Sequence, residues 1–317
     1  MFDKTISVFM INGFLESGKT QFIKYTLAQE YFQTRGTTLL IVCEEGEEEY
    51  DQALLSKSRT VMEVIEDEDD FNPEYLSGLA KKYKPVRVVI EFNGMWNPKN
   101  IKLPSDWRID QQITNIDATT FPVYFNNMRS LVAEQIKGSE MVIVNRCDGI
   151  DDLATYKRNV KSVNAKAEVI FEDSEGELNV SLAEELPFDL EADVIELNDT
   201  GYAIWYMDIM DNLERYDGKT IEYTAMVVKP PTFPDDYFVP GRMAMTCCAD
   251  DMALLGFICH FKGAKDLPEK SFVKVNATIK VENHEAYQGM GPVLYANKVV
   301  TVKKPKNEII DFSNLDG

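Results

Sequence analysis

Histidine is nearly absent from this chain of 317 residues, which holds two, and cysteine is sparse at five. An odd, scattered set of five cysteines makes no disulfide framework and fits a reducing compartment. Basic residues are outnumbered: 33 Lys+Arg stand against 53 Asp+Glu, a formal net charge of −20. Such a surface repels phosphate backbones, which argues against a primary nucleic-acid binder. No apolar run approaches the roughly 18 residues that a membrane span needs. The most apolar N-terminal stretch, Ile6 to Leu15, follows Asp3 and Lys4 and lacks a small-residue cleavage site, so it does not read as a signal peptide. Hydrophobic residues nevertheless make up 44% of the chain, enough to fill a core and too many for a disordered acidic protein. These traits describe a cytoplasmic protein that is not membrane-embedded.

What is present falls into two patterns. In the first half, short β-branched runs at Ser7–Ile11, Thr38–Val42, Val86–Ile90, Ile113–Thr119, Met141–Asn145 and Val169–Phe171 alternate with helical patterns at Lys19–Phe32, Pro73–Tyr83 and Ser130–Lys137. That alternation predicts right-handed crossovers and a mostly parallel sheet covered on both faces. Beyond about residue 172 the chain turns acidic and weakly periodic, and a short helix is expected at Tyr202–Leu213. From Gly218 the period drops to two over Thr220–Lys229, Arg242–Cys247, Ala253–Phe261, Phe272–Glu282 and Val293–Val302, which predicts a small antiparallel, OB-like β-barrel. The expected organisation is an α/β domain over 1–172, a linker or peripheral segment over 173–200, and a barrel domain over 201–317.

Gly13-Phe14-Leu15-Glu16-Ser17-Gly18-Lys19-Thr20 fits G-x-x-x-x-G-K-[ST] and lies between a predicted strand and a predicted helix, where a phosphate-binding P-loop belongs. There Gly13, Glu16, Ser17 and Gly18 would shape a backbone cradle, Lys19 would bridge the β- and γ-phosphates, and the Thr20 hydroxyl would ligate Mg²⁺. An apolar strand then ends in Glu91, with Gly94 at E-x-x-G spacing; the carboxylate can support Mg²⁺ and the Gly94 N–H can meet a γ-phosphate. Asn145-Arg146-Cys147-Asp148 follows another apolar strand, and Asn with Asp at this spacing can read guanine, Asp148 accepting from the ring N1–H and exocyclic amine. Each of the last two motifs is weak alone, because strand-end carboxylates and turn Asn or Asp are common. The three in this order are not.

On these motifs the chain resembles the CobW-type GTPases of the SIMIBI class of P-loop proteins. The family's Gly-Phe-Leu-x-x-Gly-Lys-Thr opening stands at Gly13–Thr20, its hydrophobic-E-x-x-G motif at Ile90–Gly94, and its N-E-x-G-x-x-x-x-D segment as Cys43-Glu44-Glu45-Gly46 with Asp51. The resemblance implies a P-loop NTPase that binds GTP and Mg²⁺, with Lys19, Glu91 and Gly94 as catalytic positions and Glu44 or Asp51 joining Thr20 and Glu91 at the metal. It also implies a role in metal homeostasis or metallocofactor delivery, a protein client, and a homodimer formed across the nucleotide. Three departures stand out. The family's C-x-C-C is replaced by Val64-Ile65 and the acidic run Glu66–Asp70, which suits hard cations or is simply a solvated loop. N-K-x-D becomes N-R-x-D, with Arg146 able to lie over a purine. Position 95 is Met, so no glutamine follows Gly94 to orient water, and hydrolysis would be slow without a partner.

Residues 200 to 305 are similar to the soluble subunit of a two-component bacterial permease (YcgQ-like proteins), through Gly218-Lys219, Gly241-Arg242 and Met245–Asp250. That similarity suggests a permease partner. Cys248, Asp250 and His260 could share a transition metal such as Zn²⁺ if their strands pair; the alternative is that these cysteines are small buried hydrophobes. Trp205, Tyr206 and Phe238 are either an exposed aromatic face or core. The first functional expectation is a Mg²⁺-dependent GTPase. A non-hydrolysing nucleotide-sensing scaffold is the second, and an ATP-binding protein of the same fold is the third.

Overall fold

The structure, a computed structural model, describes residues 5–180, 186–245 and 252–311. The first half opens with β1 (Ile6–Asn12), α1 (Lys19–Ala28), β2 (Thr38–Val42), α2 (Gln52–Lys57), β3 (Thr60–Val64), α3 (Pro73–Tyr83) and β4 (Arg87–Glu91). It continues through β5 (Trp107–Asp117), α4 (Phe121–Asn127), α5 (Arg129–Lys137), β6 (Met141–Asn145), α6 (Leu153–Val163), β7 (Glu168–Glu172) and β8 (Glu177–Leu178). The strands form one sheet in the order β3-β2-β4-β1-β5-β6-β7-β8. Every pair is parallel except the β7–β8 edge. This is a P-loop NTPase fold.

The strand sequences explain the layering. In β2 all five residues are buried, and successive side chains point to opposite faces. Leu39 and Ile41 join Val8, Met10, Val88 and Ile90 in a core closed by Leu76 and Leu79 of α3. Leu40 and Val42 join Ile11 and Val89 in a second core, closed by Ile23 and Leu27 of α1. Helix α3 starts where the sequence placed it because Asn72 caps it, accepting from Tyr75 N at 3.0 Å, with Pro73 in the first turn.

The second half holds β9 (Ile195–Glu196), α7 (Asp199–Asp211), α8 (Leu213–Tyr216), β10 (Thr220–Val228), β11 (Tyr237–Met245), β12 (Met252–Leu255) and β13 (Cys259–His260). It ends with β14 (Phe272–His284), β15 (Gly289–Val302) and β16 (Ile309–Asp311). Its pairings close on themselves: β10–β11, β11–β13, β13–β15, β15–β14 and β14–β10. One of the five contacts, Cys259 opposite Leu294, is parallel. The expected single strand over 253–261 is two pieces, β12 and β13, which pair with β11 in one register; the ladder is interrupted at 256–258, where Phe257 is buried against Trp205. Trp205 and Phe238 are fully buried and Tyr206 stacks on Phe257 at 4.9 Å, so the aromatic set belongs to the core.

The chain divides into two compact units. One runs to Leu153 and takes in Ala167–Val180; the other comprises Ala154–Lys166 and the chain beyond Val180. No described helix is long and apolar enough to cross a membrane.

Candidate nucleotide site

The site lies at the C-terminal end of β1, where the sheet's strands deliver polar residues out of apolar runs. Gly13 has φ of 135°, and a Cβ there would stand 2.3 Å from the Asn115 carbonyl oxygen, so only glycine fits. Three side chains from neighbouring strand ends then hold the loop. Asn115 Nδ2 donates to Gly18 O at 3.1 Å, Asn145 Nδ2 donates to Ser17 O at 2.8 Å, and Arg146 donates to Glu16 O at 2.8 Å. Among the described residues, four buried oxygens in and beside this loop have no partner: Asn12 Oδ1, Ser17 Oγ, Asn115 Oδ1 and Asn145 Oδ1. Uncompensated buried polar atoms are costly, and their clustering here fits a site built for a polar ligand.

Lys19 begins α1 and is 3% exposed. Its ammonium donates to Gly13 O and Phe14 O, each at 2.9 Å, and to Glu44 Oε1. Beside it, the Thr20 hydroxyl donates to Glu91 Oε1 at 2.7 Å, and the Tyr50 hydroxyl donates to Glu91 Oε2. Glu91 is buried. Desolvation pushes its carboxyl above the usual range, against the hydrogen bonds from Thr20 and Tyr50 and the charge of Lys19. A hydroxyl and a carboxylate side by side are hard oxygen donors, the class Mg²⁺ accepts together with phosphate oxygens. An open cleft of about 790 Å³ adjoins them, lined by Thr20, Tyr50, Glu44, Glu45, Glu48, Glu49 and Glu91 among others.

Gly94 closes the site from the β4 side. A Cβ there would lie 2.5 Å from Phe14 Cα and 2.6 Å from Gly13 O, so the glycine lets this turn rest directly on the P-loop backbone. Its N–H donates to Glu44 Oε1 at 3.2 Å, and its carbonyl accepts from Gln135 Nε2 at 2.7 Å.

Several expected residues stand elsewhere. Asp51 is not in the Thr20–Glu91 group; it caps α2, accepting from Ala53 N at 2.8 Å, while its neighbours Tyr50 and Gln52 line the cleft. The Arg146 guanidinium is paired with Asp117 as well as with Glu16 O. Asp148 is exposed and accepts from the Ser174 hydroxyl and, at 3.2 Å, from Ser174 N; the hydroxyl bond holds it below the usual carboxylate range. Of the acidic run, Asp67 caps the turn after it, accepting from Asp69 N. Cys248 and Asp250 lie outside the described residues. His260, their expected partner, bonds Asp236 at 3.0 Å. Among the described residues no group of three or more His, Cys, Asp or Glu is placed to hold a metal. Cys43, Cys147 and Cys259 are buried thiols, Cys147 raised by burial to about 11.

Sequence reading missed Asn115, Tyr50 and Ser174. Asn115 had only a weak signal, a polar residue beside Thr114 between the apolar Ile113 and Ile116 of a predicted strand; Tyr50 sits at the end of an acidic run with nothing to set it apart.

Residues 7–171 match the CobW/HypB/UreG nucleotide-binding domain, and residues 174–310 match the DUF1980 C-terminal domain. Similar solved structures include the Zn(II)-bound YjiA GTPase from E. coli, at 14% identity over 96% of this chain and 91% of that one, with a TM-score of 0.43. The hydrogenase maturation factor HypB from Archaeoglobus fulgidus is 18% identical over 55% of this chain and 83% of its own, with a TM-score of 0.37. HypB from Helicobacter pylori, solved in complex with nickel, is 14% identical over 54% and 80%, with a TM-score of 0.32. No curated protein sequence matches the chain.

Proposed function

The chain belongs to the CobW/HypB/UreG family, and from that premise we propose that it is a Mg²⁺-dependent GTP-binding protein that hydrolyses GTP slowly and acts in metal homeostasis or metallocofactor delivery. The observation that carries this reading is the assembly at the end of β1: a glycine-shaped loop, the buried Lys19 ammonium, and the Thr20–Glu91 pair. Lys19 and the loop N–H groups bind phosphate oxygens. Thr20 and Glu91 would hold Mg²⁺, which when bound neutralises phosphate charge. Gly94 presents its N–H over the P-loop, and Tyr50 fixes the orientation of the Glu91 carboxylate. Asn145 and Asp148 select guanine, Asp148 exchanging its Ser174 contact for the base. Titration of nucleotide-stripped protein with GTP, GDP and ATP, with and without Mg²⁺, tests the reading. Tight, Mg²⁺-dependent binding of guanine nucleotides is expected, with Lys19→Ala weaker by at least about 100-fold. Parental affinity in Lys19→Ala would remove the lysine from the phosphate site.

The five-strand ring in the second half, with its single parallel contact, supports an OB-like barrel. We offer residues 201–317 as the end that meets a protein client or permease partner, 1–172 as the nucleotide domain, and a cytoplasmic location and nucleotide-bridged dimer by analogy with the family. A non-hydrolysing sensor is favoured by one feature: the residue after Gly94 is Met95, 59% exposed, which has no group to orient water. Release of phosphate from GTP by the purified protein separates the two readings.

A further inference from the structure

The same oxygen of Glu44 accepts from two groups that P-loop chemistry directs at a terminal phosphate. One is the Lys19 ammonium, and the other is the Gly94 N–H at 3.2 Å. We propose that the Glu44 carboxylate stands in, without nucleotide, for an oxygen of the γ-phosphate, and that it thereby sets the discrimination between nucleoside triphosphate and diphosphate. The inference rests on the reading of this site as a P-loop nucleotide site and concerns which phosphate chain the site prefers.

The argument begins with the lysine's protons. An ammonium has three, and those of Lys19 go to Gly13 O, Phe14 O and Glu44 Oε1. Two of the acceptors are backbone atoms of the loop itself, so the bond to Glu44 is the one an incoming phosphate can take. Lys19 is 3% exposed and Glu44 12%, so the pair is tucked into the site. A γ-phosphate and the carboxylate cannot occupy the place together, because both are anions that need the same donors. A diphosphate reaches Lys19 only through its β-phosphate and offers no oxygen to the Gly94 N–H, so Glu44 keeps that bond.

Expelling Glu44 disturbs more than one side chain. The segment that carries it is tied to the P-loop side at three further points: Glu47 N donates to Glu16 Oε1 at 2.8 Å, Lys24 pairs with Glu48, and Tyr50 bonds Glu91. The triphosphate must therefore loosen the start of a segment whose other end reaches the Mg²⁺ donors. Glu44 is thus a specificity-determining residue acting by occupancy.

The test is direct titration of the full-length protein, with Mg²⁺, using GDP and a non-hydrolysable GTP analogue. It compares the parent, Glu44→Gln, and Glu45→Gln as a control that removes an equal charge from the same cleft. Glu44→Gln should bind the analogue at least about tenfold more tightly, from relief of like-charge competition, with GDP affinity and the Glu45→Gln values within about twofold of the parent. Equal gains for both nucleotides, a weaker analogue affinity in Glu44→Gln, or the same gain in Glu45→Gln would overturn the inference while leaving the nucleotide site intact. Absence of binding to any of the three proteins would overturn the site reading as well.

Discussion

Replacing Gly94 by alanine inserts one methyl group between two backbones. The new Cβ would sit 2.5 Å from Phe14 Cα, 2.6 Å from Gly13 O and 3.1 Å from the Phe14 carbonyl carbon. All three are main-chain atoms, so no side chain can swing aside. Ordinary contact starts at 3.4 Å, and one backbone must retreat by about 0.9 Å. The P-loop is held by Asn115, Asn145 and Arg146, which leaves the turn after β4 to move and carries the Gly94 N–H off its mark. Overpacking of this kind costs about 1–3 kcal/mol of stability. A hydrogen bond to a charged oxygen is worth about 1.5–3 kcal/mol, so the triphosphate analogue should bind about 10- to 100-fold more weakly. GDP, which has no phosphate to meet that N–H, should change far less. The assay is a urea denaturation curve beside titrations of both nucleotides. Parental stability together with parental analogue affinity would refute the claim that this glycine rests on the P-loop and serves the terminal phosphate.

Two other outcomes follow from the site. Asp148→Ala should reduce the preference for GTP over ATP by about 100-fold, because a purine-edge acceptor is lost; competition between the two nucleotides measures it, and an unchanged preference would move base recognition elsewhere. Burial raises the Asp117 carboxyl, but bonds from the Thr119 hydroxyl and from Arg146 outweigh it and leave the group below its ordinary range. A depressed carboxyl supplies stability that is complete above the unfolded value, about 3.9, and is lost as pH falls through the lower folded value. The stability gap between parent and Asp117→Asn should therefore shrink as denaturation is repeated below about pH 4, and a gap that widened on acidification would reverse the assignment.

The parallel sheet was legible because its strands are continuous apolar runs that no helix period fits; Thr38–Val42 and Met141–Asn145 match to the residue. The edge strand β3 was not, since Thr60–Val64 is half-buried and its last residue ran into the acidic stretch read as a loop. Helix α4 was hidden by Pro122, which is tolerated because it falls in the first turn. In the site, spacing alone placed Lys19, Thr20, Glu91 and Gly94. Spacing could not show that Asp51 turns back to cap a six-residue helix, or that Arg146 finds Asp117 across from the next strand. Those outcomes depend on which partner is nearer once the chain has folded.

The glutamates that line the cleft also bear on how fast a ligand arrives. Five carboxylates stand beside the P-loop, on a chain whose net charge is −20. A free nucleotide is itself a polyanion, so its approach is opposed at long range. The opposition reaches about 10 Å at 0.1 M ionic strength and shortens as salt is added. Association should thus quicken with ionic strength, the opposite of the usual steered encounter. Once a divalent cation accompanies the nucleotide, the encounter meets less repulsion and the salt effect flattens. On the proposed reading, the acidic rim would act as a kinetic filter that admits the metal-bound nucleotide ahead of the bare one.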